Sequence, residues 1–296
     1  MLSLHTNAAA LTGQNTLTST NKALTTSLTR LSTGYRVNSA MDDAAGLQIA
    51  TRLNAQTRGM AVAQRNTQNG ISMMQTAEGA FNEVTSILLR MKDLATEAFT
   101  ASTTADDKTA LQAEFDALGL ELGNIMKSTA FGGQTLFSAA GTAVPAAAEG
   151  LLGTATPGIV FQIGATADET MSVDFSTVLG TVITELTGVS SNYATAGTGT
   201  ELTAGTNAKI TDINDAIDAV GTMRANLGAA SNRLEHVFNN LGNMSINTEA
   251  ARGRIMDVDY ASESANMTTK QMLMQAGTSM LKQSNAMSQL ALSLLQ

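Results

Sequence analysis

The residues best suited to chemistry are Asp42 and Asp43, neighbouring carboxylates in a lightly charged stretch. Two adjacent carboxylates can share general acid–base work or ligate a cation. They also fit a plainer role. Ser39 and Asp42 stand three apart ahead of an apolar-periodic run, the spacing of a capping box. Negative charge is favoured where a helix begins. Nothing else in the chain completes a catalytic set. His5 and His236 are far apart in sequence, and no HExxH, phosphate-binding Walker loop or GxSxG occurs. With no cysteine there is no disulfide, thiolate metal site or cysteine nucleophile. His236 falls beside an apolar seam and reads as a packed or surface residue. The 16 methionines lie mostly on helical stripes, where they fill gaps in cores and interfaces. The chemistry on offer is that of helix ends and helix packing, so the expectation is no enzyme and no cofactor.

The elements that position these residues are long amphipathic helices. One 3–4 alternation runs Ile49, Leu53, Gln56, Met60, Ala63, Thr67, Gly70, Met74, Ala77, Phe81, Val84, Leu88, Met91, Ala95, Ala98. A second runs Ile210, Ile213, Ile217, Val220, Arg224, Leu227, Ser231, Leu234, Phe238, Leu241. Such spacing sets one helix face against a partner helix. At ~1.5 Å per residue, a helix from Ile49 to Ala98 would be a rod of roughly 75 Å. The expected helices are about Asp43 to Phe99, Ala105 to Ser128, Asn207 to Ala251, and Asp259 to the end. Gly34 reads as a helix stop, and Phe131-Gly132-Gly133-Gln134 as a turn. The fold class is mainly α: a long antiparallel coiled-coil or helical-bundle rod with a small β-hairpin region.

The two terminal segments are weaker. Leu17, Leu24, Leu28 and Leu31 make a sparse stripe among many Thr and Asn residues. Leu273, Ala276, Met280, Gln283, Met287, Leu290 and Leu294 form a similar seam at the other end. Each is marginal alone and competent with a partner.

Between the helical halves the character changes. Both prolines, Pro145 and Pro157, lie there, with Gly-rich breaks. There is no Lys or Arg between Lys127 and Lys209, while Glu149, Asp168, Glu169, Asp174, Glu185 and Glu201 carry most of the chain's net charge of −8. Ile159 to Ile163 and Met171 to Phe175 read as two strands joined by a loop from Gly164 to Thr170. This stretch is expected to face outward and vary, with insertions tolerated near Gly197 or Gly199. The acidic balance argues against nucleic acid, which needs clustered positive charge. No window approaches the ~18 apolar residues of a membrane span. The start lacks the basic and apolar regions of a cleaved signal, so export would need another route.

Two motif sets then carry a resemblance. Arg30 through Ala50, with Ser32-Thr33-Gly34-Tyr35-Arg36-Val37-Asn38 and Asp42-Asp43-Ala44-Ala45-Gly46-Leu47, closely resembles the N-terminal signature of bacterial flagellins. Arg65-Asn66-Thr67-Gln68-Asn69-Gly70-Ile71-Ser72 and Gln75-Thr76-Ala77-Glu78-Gly79-Ala80 continue it. Leu241-Gly242-Asn243, Asp257-Val258-Asp259-Tyr260-Ala261-Ser262-Glu263, Gln275-Ala276-Gly277-Thr278-Ser279 and Leu294-Leu295-Gln296 resemble the family's other end. The resemblance covers roughly 4–137 and 207–296.

It implies a filament subunit exported unfolded by a type III route. Residues 1–40 and 255–296 would be a terminal coiled coil, the inner filament core, disordered in the monomer. Residues 41–137 and 207–254 would be the helical rod, and 138–206 the β-hairpin with a short variable surface. Implied partners are further copies of the chain, an export chaperone, the filament cap and hook–filament junction proteins. A vertebrate flagellin-sensing Toll-like receptor is also implied, with Arg90, Leu94 and Glu114 at its central contacts and Ile213 contributed by the C-terminal helix. The other readings are a hook–filament junction protein of the same superfamily and a secreted coiled-coil adhesin. An inserted protease fails because the central stretch contains no His.

Overall fold

A computed structural model describes residues 7–138, 150–154, 158–193, 197–204 and 206–293, with side chains to residue 286 in the last helix. His5, Pro145, Pro157, Met287, Leu290 and Leu294 lie outside the described structure or side chains. The described residues form α1 (Ala8–Thr33), α2 (Ala44–Ala98), α3 (Ala105–Ser128), α4 (Ser176–Val189), α5 (Ala208–Met256) and α6 (Tyr260–Ser293). Two antiparallel hairpins join them: β1 (Ala130–Phe131) with β2 (Gln134–Thr135), and β3 (Ile159–Gln162) with β4 (Thr170–Val173). The chain divides into two compact units, 1–57 with 246–296, and 58–245.

In the larger unit the α2 seam is buried at every position from Met60 to Ala98. Phe81, Val84, Leu88 and Met91 are fully enclosed, together with Phe115 and Leu122 of α3 and Val220 and Leu227 of α5. Phe81 meets Phe137 with ring centroids 4.8 Å apart and planes at 55°, a tilted arrangement suited to aromatic pairs. The α5 seam lies one residue from the expected register in places. Met223 and Ala230 are buried, not Arg224 and Ser231. Arg224 instead turns outward to pair with Glu78 at 3.6 Å. The charged head stays near water while the neighbouring thioether fills the core.

Local chemistry sets the helix ends. Thr104 and Asp107 form a reciprocal capping box at the start of α3. The Thr104 hydroxyl, then its backbone N–H, holds the Asp107 carboxyl below its usual range. Gly132 and Gly133 take φ of +59° and +84°, which lets the β1–β2 hairpin close in two residues. Strand β3 pairs with β4 from Ile159 opposite Val173 to Gln162 opposite Thr170, close to the expected strands. Helix α5 runs straight through Arg252-Gly253-Arg254, where the sequence suggests a break.

The centre departs most from expectation. Within 138–206, residues 176–189 form a helix whose Leu179, Val182, Ile183, Leu186 and Val189 are buried in the same core as α2 and α5. Leu152, Tyr193 and Leu202 join them. Their spacing is a 3.6-residue stripe, and its hydrophobic burial overrides the acidity and glycine content of the surrounding sequence. Gly199 is equally enclosed. A Cβ there would collide with the Glu201 and Asp116 carboxylates and the Gln112 amide, so this position is no free loop tip.

Candidate functional site

Helices α1 and α6 pack antiparallel over most of their length. Asn7 caps α1 by accepting the Ala10 N–H at 3.1 Å, and Gly34 ends it at φ +76°, a left-handed conformation that glycine adopts without strain. Thr12, Thr16, Thr18, Thr20, Thr25, Thr26, Thr29 and Thr33 each donate their hydroxyl to the carbonyl one turn back. A threonine-rich segment thus holds a helix without leaving its hydroxyls to compete with the backbone.

The Gly34 side of the pair is tied by the backbone. Arg36 N–H donates to Met256 O at 2.6 Å and Val258 N–H to Gly34 O at 3.0 Å, a β-bridge between Tyr35 and Asp257. Arg36 Nη2 reaches Ile255 O at 2.9 Å, and Val37 is buried beneath. Asp42 serves this connector, accepting the Asn38 and Ser39 N–H groups at 3.1 and 3.0 Å and the Ser39 hydroxyl at 3.2 Å. These bonds, led by the Asn38 N–H, hold its carboxyl below the usual range. Asp43 performs the capping, with Oδ1 taking the Gly46 N–H at 2.8 Å. The expected Ser39–Asp42 box is therefore a turn, and the helix starts two residues after Asp42. Both carboxylates are engaged by the fold. His236 lies exposed on α5.

Burial in the pair is thin. On α1 Leu24 and Ser27 are buried, and among the described side chains of α6 Glu263 alone is. Leu11, Leu28, Met272, Leu273 and Met280 stay 48–74% exposed. A groove of about 710 Å³ runs between the helices, lined by Ala8, Thr12, Gly13, Leu17, Leu273 and Met280. Exposed apolar side chains along a paired-helix surface mark an interaction site rather than a finished core. Sequence periodicity identified these helices, but the Tyr35–Asp257 bridge was not legible, since isolated bridges have no pattern.

Of the residues assigned to receptor contact, Arg90 and Glu114 come together on the surface. Arg90 Nε and Nη2 reach Glu114 Oε1 at 2.8 and 2.7 Å, and both side chains are about half exposed. Leu94 and Ile213 do not join them. They are 1% and 0% exposed: Ile213 falls on the α5 seam, Leu94 stands beside Ala95 of the α2 seam, and both pack into the core.

A buried polar cluster escaped the sequence reading. Gln112 Nε2 donates to Asp116 and Glu201 at 2.7 and 2.8 Å, and its Oε1 accepts the Leu202 N–H at 2.6 Å. Glu201 also takes the Ser191 N–H and hydroxyl, each at 2.7 Å. Burial pushes this carboxyl up, but the hydrogen bonds from Ser191 and Gln112 outweigh it and leave it below its usual range. Burial alone pushes the Tyr193 phenol well up.

The bacterial flagellin N-terminal helical region matches residues 4–142, and the bacterial flagellin C-terminal helical region matches 210–295. Flagellin A of Vibrio cholerae is 34% identical over 377 residues, covering 100% of both chains. Flagellin of Bacillus subtilis is 37% identical over 308 residues, covering 98% of each. The crystal structure of Bacillus cereus flagellin is 28% identical, with a TM-score of 0.44, over 60% of this chain and 88% of that one.

Proposed function

The chain belongs to the bacterial flagellin family, and from that premise we propose how its parts divide the work of building a filament. It is the structural subunit of the extracellular flagellar filament used for motility. In the proposed division, residues 1–40 and 255–296 form the inner core, 41–137 with 207–254 the helical rod, and 138–206 the outer hairpin region. One observation carries this reading: the α1–α6 pair leaves its apolar seam largely uncovered while the α2 seam from Met60 to Ala98 is buried throughout. The pair gains most of its burial from neighbouring subunits, so folding of the termini is coupled to assembly. Contacts between unlike surfaces then propagate as an open helix. Before assembly the same uncovered seam suits an export chaperone, and at the growing end the filament cap; hook–filament junction proteins would meet it at the base. A chain without cysteine suits export in an unfolded state.

The test is removal of residues 276–296. The truncated chain is expected to keep the stability of the parent monomer and to form no filaments by electron microscopy. Normal filaments from it would sink the coupled-folding reading.

The exposed Arg90–Glu114 pair supports a second, narrower proposal, that a flagellin-sensing Toll-like receptor contacts the monomer there. Leu94 and Ile213 then act only as packing beneath it. Arg90→Ala and Glu114→Ala monomers should each give a weaker receptor-reporter signal. An unchanged signal in both would refute it.

A further inference from the structure

We propose that partly buried polar contacts, chiefly Arg30 with Glu263 and secondarily Lys270 with Ser27, act with the Tyr35–Asp257 bridge to select the register of the α1–α6 pair, which its apolar seam does not select. This rests on the reading of the pair as the assembling element.

The contacts between the helices descend in step. Gly13 faces Leu281, Leu17 faces Gly277, and Asn21 faces Met274. Lys270 Nζ donates to Ser27 Oγ at 2.8 Å and Ala23 O at 3.4 Å. Arg30 Nη1 lies 3.7 Å from Glu263, and Tyr260 sits over Gly34. The apolar part of this ladder nearly repeats itself, because Leu17, Leu24 and Leu31 recur at heptad spacing. Slide α1 by one heptad, about seven residues, and Leu24 replaces Leu17 on Gly277 while Thr20 replaces Gly13 at Leu281. The seam survives much as before.

The polar groups do not survive it. That slide carries Lys270 to Arg30 and Gly34, a like charge and no hydroxyl, and sets Glu263 opposite Val37, beyond the end of α1. The opposite slide places Thr20 at Lys270, where the fully buried Ser27 leaves no space for the extra methyl. It also places Ala23 where Arg30 meets Glu263. In both directions a buried carboxylate loses its cation, an outcome far costlier than the loss of a leucine contact.

The geometry of the ion pair fits selection better than stabilisation. Arg30 Nε and Glu263 Oε1 are buried without a hydrogen-bond partner, and the pair spans 3.7 Å. With Glu263 buried and Arg30 28% exposed, this imperfectly satisfied pair adds little over an apolar replacement, and the best-attested use of such a pair is to fix registry.

The absence of cysteine gives a clean background for the test. Filaments are assembled from full chains carrying Leu17→Cys with Gly277→Cys, which reports the observed register, or Leu24→Cys with Gly277→Cys, which reports the slide. After oxidation, crosslinks within one chain are separated from those between chains by denaturing gel mobility. With the polar contacts intact, only the first reporter should crosslink within the chain. With Glu263→Gln and Lys270→Met added, the second should rise by about tenfold, as expected when a buried pair ceases to discriminate. A second reporter that stays at its starting level, beside an unchanged first, overturns the proposal. Should the doubly altered chain not assemble, Arg30→Glu is compared with Arg30→Glu plus Glu263→Arg. The exchanged pair should restore filaments and the first crosslink. An exchange no better than the single change overturns the proposal. Failure of the cysteine-free parent to form filaments would instead defeat the assembly reading itself.

Discussion

In α2 every seam residue from Met60 to Ala98 is buried, whereas α6 buries Glu263 alone among its described side chains. Both helices follow the same 3–4 alternation. What differs is the company they keep. Residues 58–98 meet α3, α4 and α5 around a shared core, while α6 meets chiefly α1 within its own chain. A helix with one partner covers one strip of its surface. Periodicity alone therefore says that a face wants a partner and not whether the same chain supplies it.

The comparison is broken most directly in the core. Phe81 is fully buried against Phe137, so Phe81→Ala removes a large apolar surface and leaves a cavity. The expected loss is about 3–5 kcal/mol. Denaturant unfolding of the monomer measures it. A loss below about 1 kcal/mol would mean that the 58–245 core is looser than its burial indicates.

The next effect lies in the polar cluster of the centre. Glu201→Gln takes a charged acceptor from Ser191 and should cost about 1–3 kcal/mol. Its pH dependence has a definite sign. The carboxyl is held below the usual value of 4.5, so its stabilisation is present above that pH and fades as pH falls through the lower folded value. The gap between parent and variant should therefore be widest above pH 4.5 and close on acidification. A gap that stays constant or widens in acid would contradict the assignment.

A smaller effect is expected at Arg90 and Glu114. Their side chains are 52% and 45% exposed, and such pairs couple by about 0.2–1 kcal/mol. A double-mutant cycle in monomer unfolding should give a coupling in that range that shrinks with added salt. A larger, salt-insensitive coupling would show a structural role that confounds the receptor test.

Much of this architecture was legible in the sequence, and its failures share a cause. The α2 seam, the Gly34 stop, α3 from Ala105 to Ser128 and the β3–β4 hairpin all follow from local pattern. Helix α4 was missed although Leu179, Val182, Ile183, Leu186 and Val189 spell its stripe. The acidic, Gly- and Thr-rich composition around it masks that periodicity. The cluster of Gln112, Asp116 and Glu201 joins residues far apart in sequence, and no local rule brings them together. Leu94 and Ile213 show the converse error. A family resemblance can assign a residue to a contact, yet Leu94 stands next to seam residue Ala95 and is buried with it.

The smallest effect on the monomer is the most telling for the comparison. Leu24 is among the few buried residues of α1, at 9% exposure, and Leu88 is buried in the core at 0%. In a structure where both surroundings were always formed, Leu→Ala at either site would cost about 2–5 kcal/mol. If the termini order only on assembly, the two sites diverge. Leu88→Ala should lower monomer stability by that amount. Leu24→Ala should change it by no more than about 0.5 kcal/mol, since nothing folded is disturbed. The Leu24 variant should still raise the protein concentration needed for filament growth by tenfold or more, because a cost of about 1.4 kcal/mol per subunit already corresponds to that factor. Monomer unfolding and sedimentation of assembled filaments read the two quantities separately. A Leu24→Ala monomer destabilised as much as Leu88→Ala would mean that α1 and α6 are already paired before assembly.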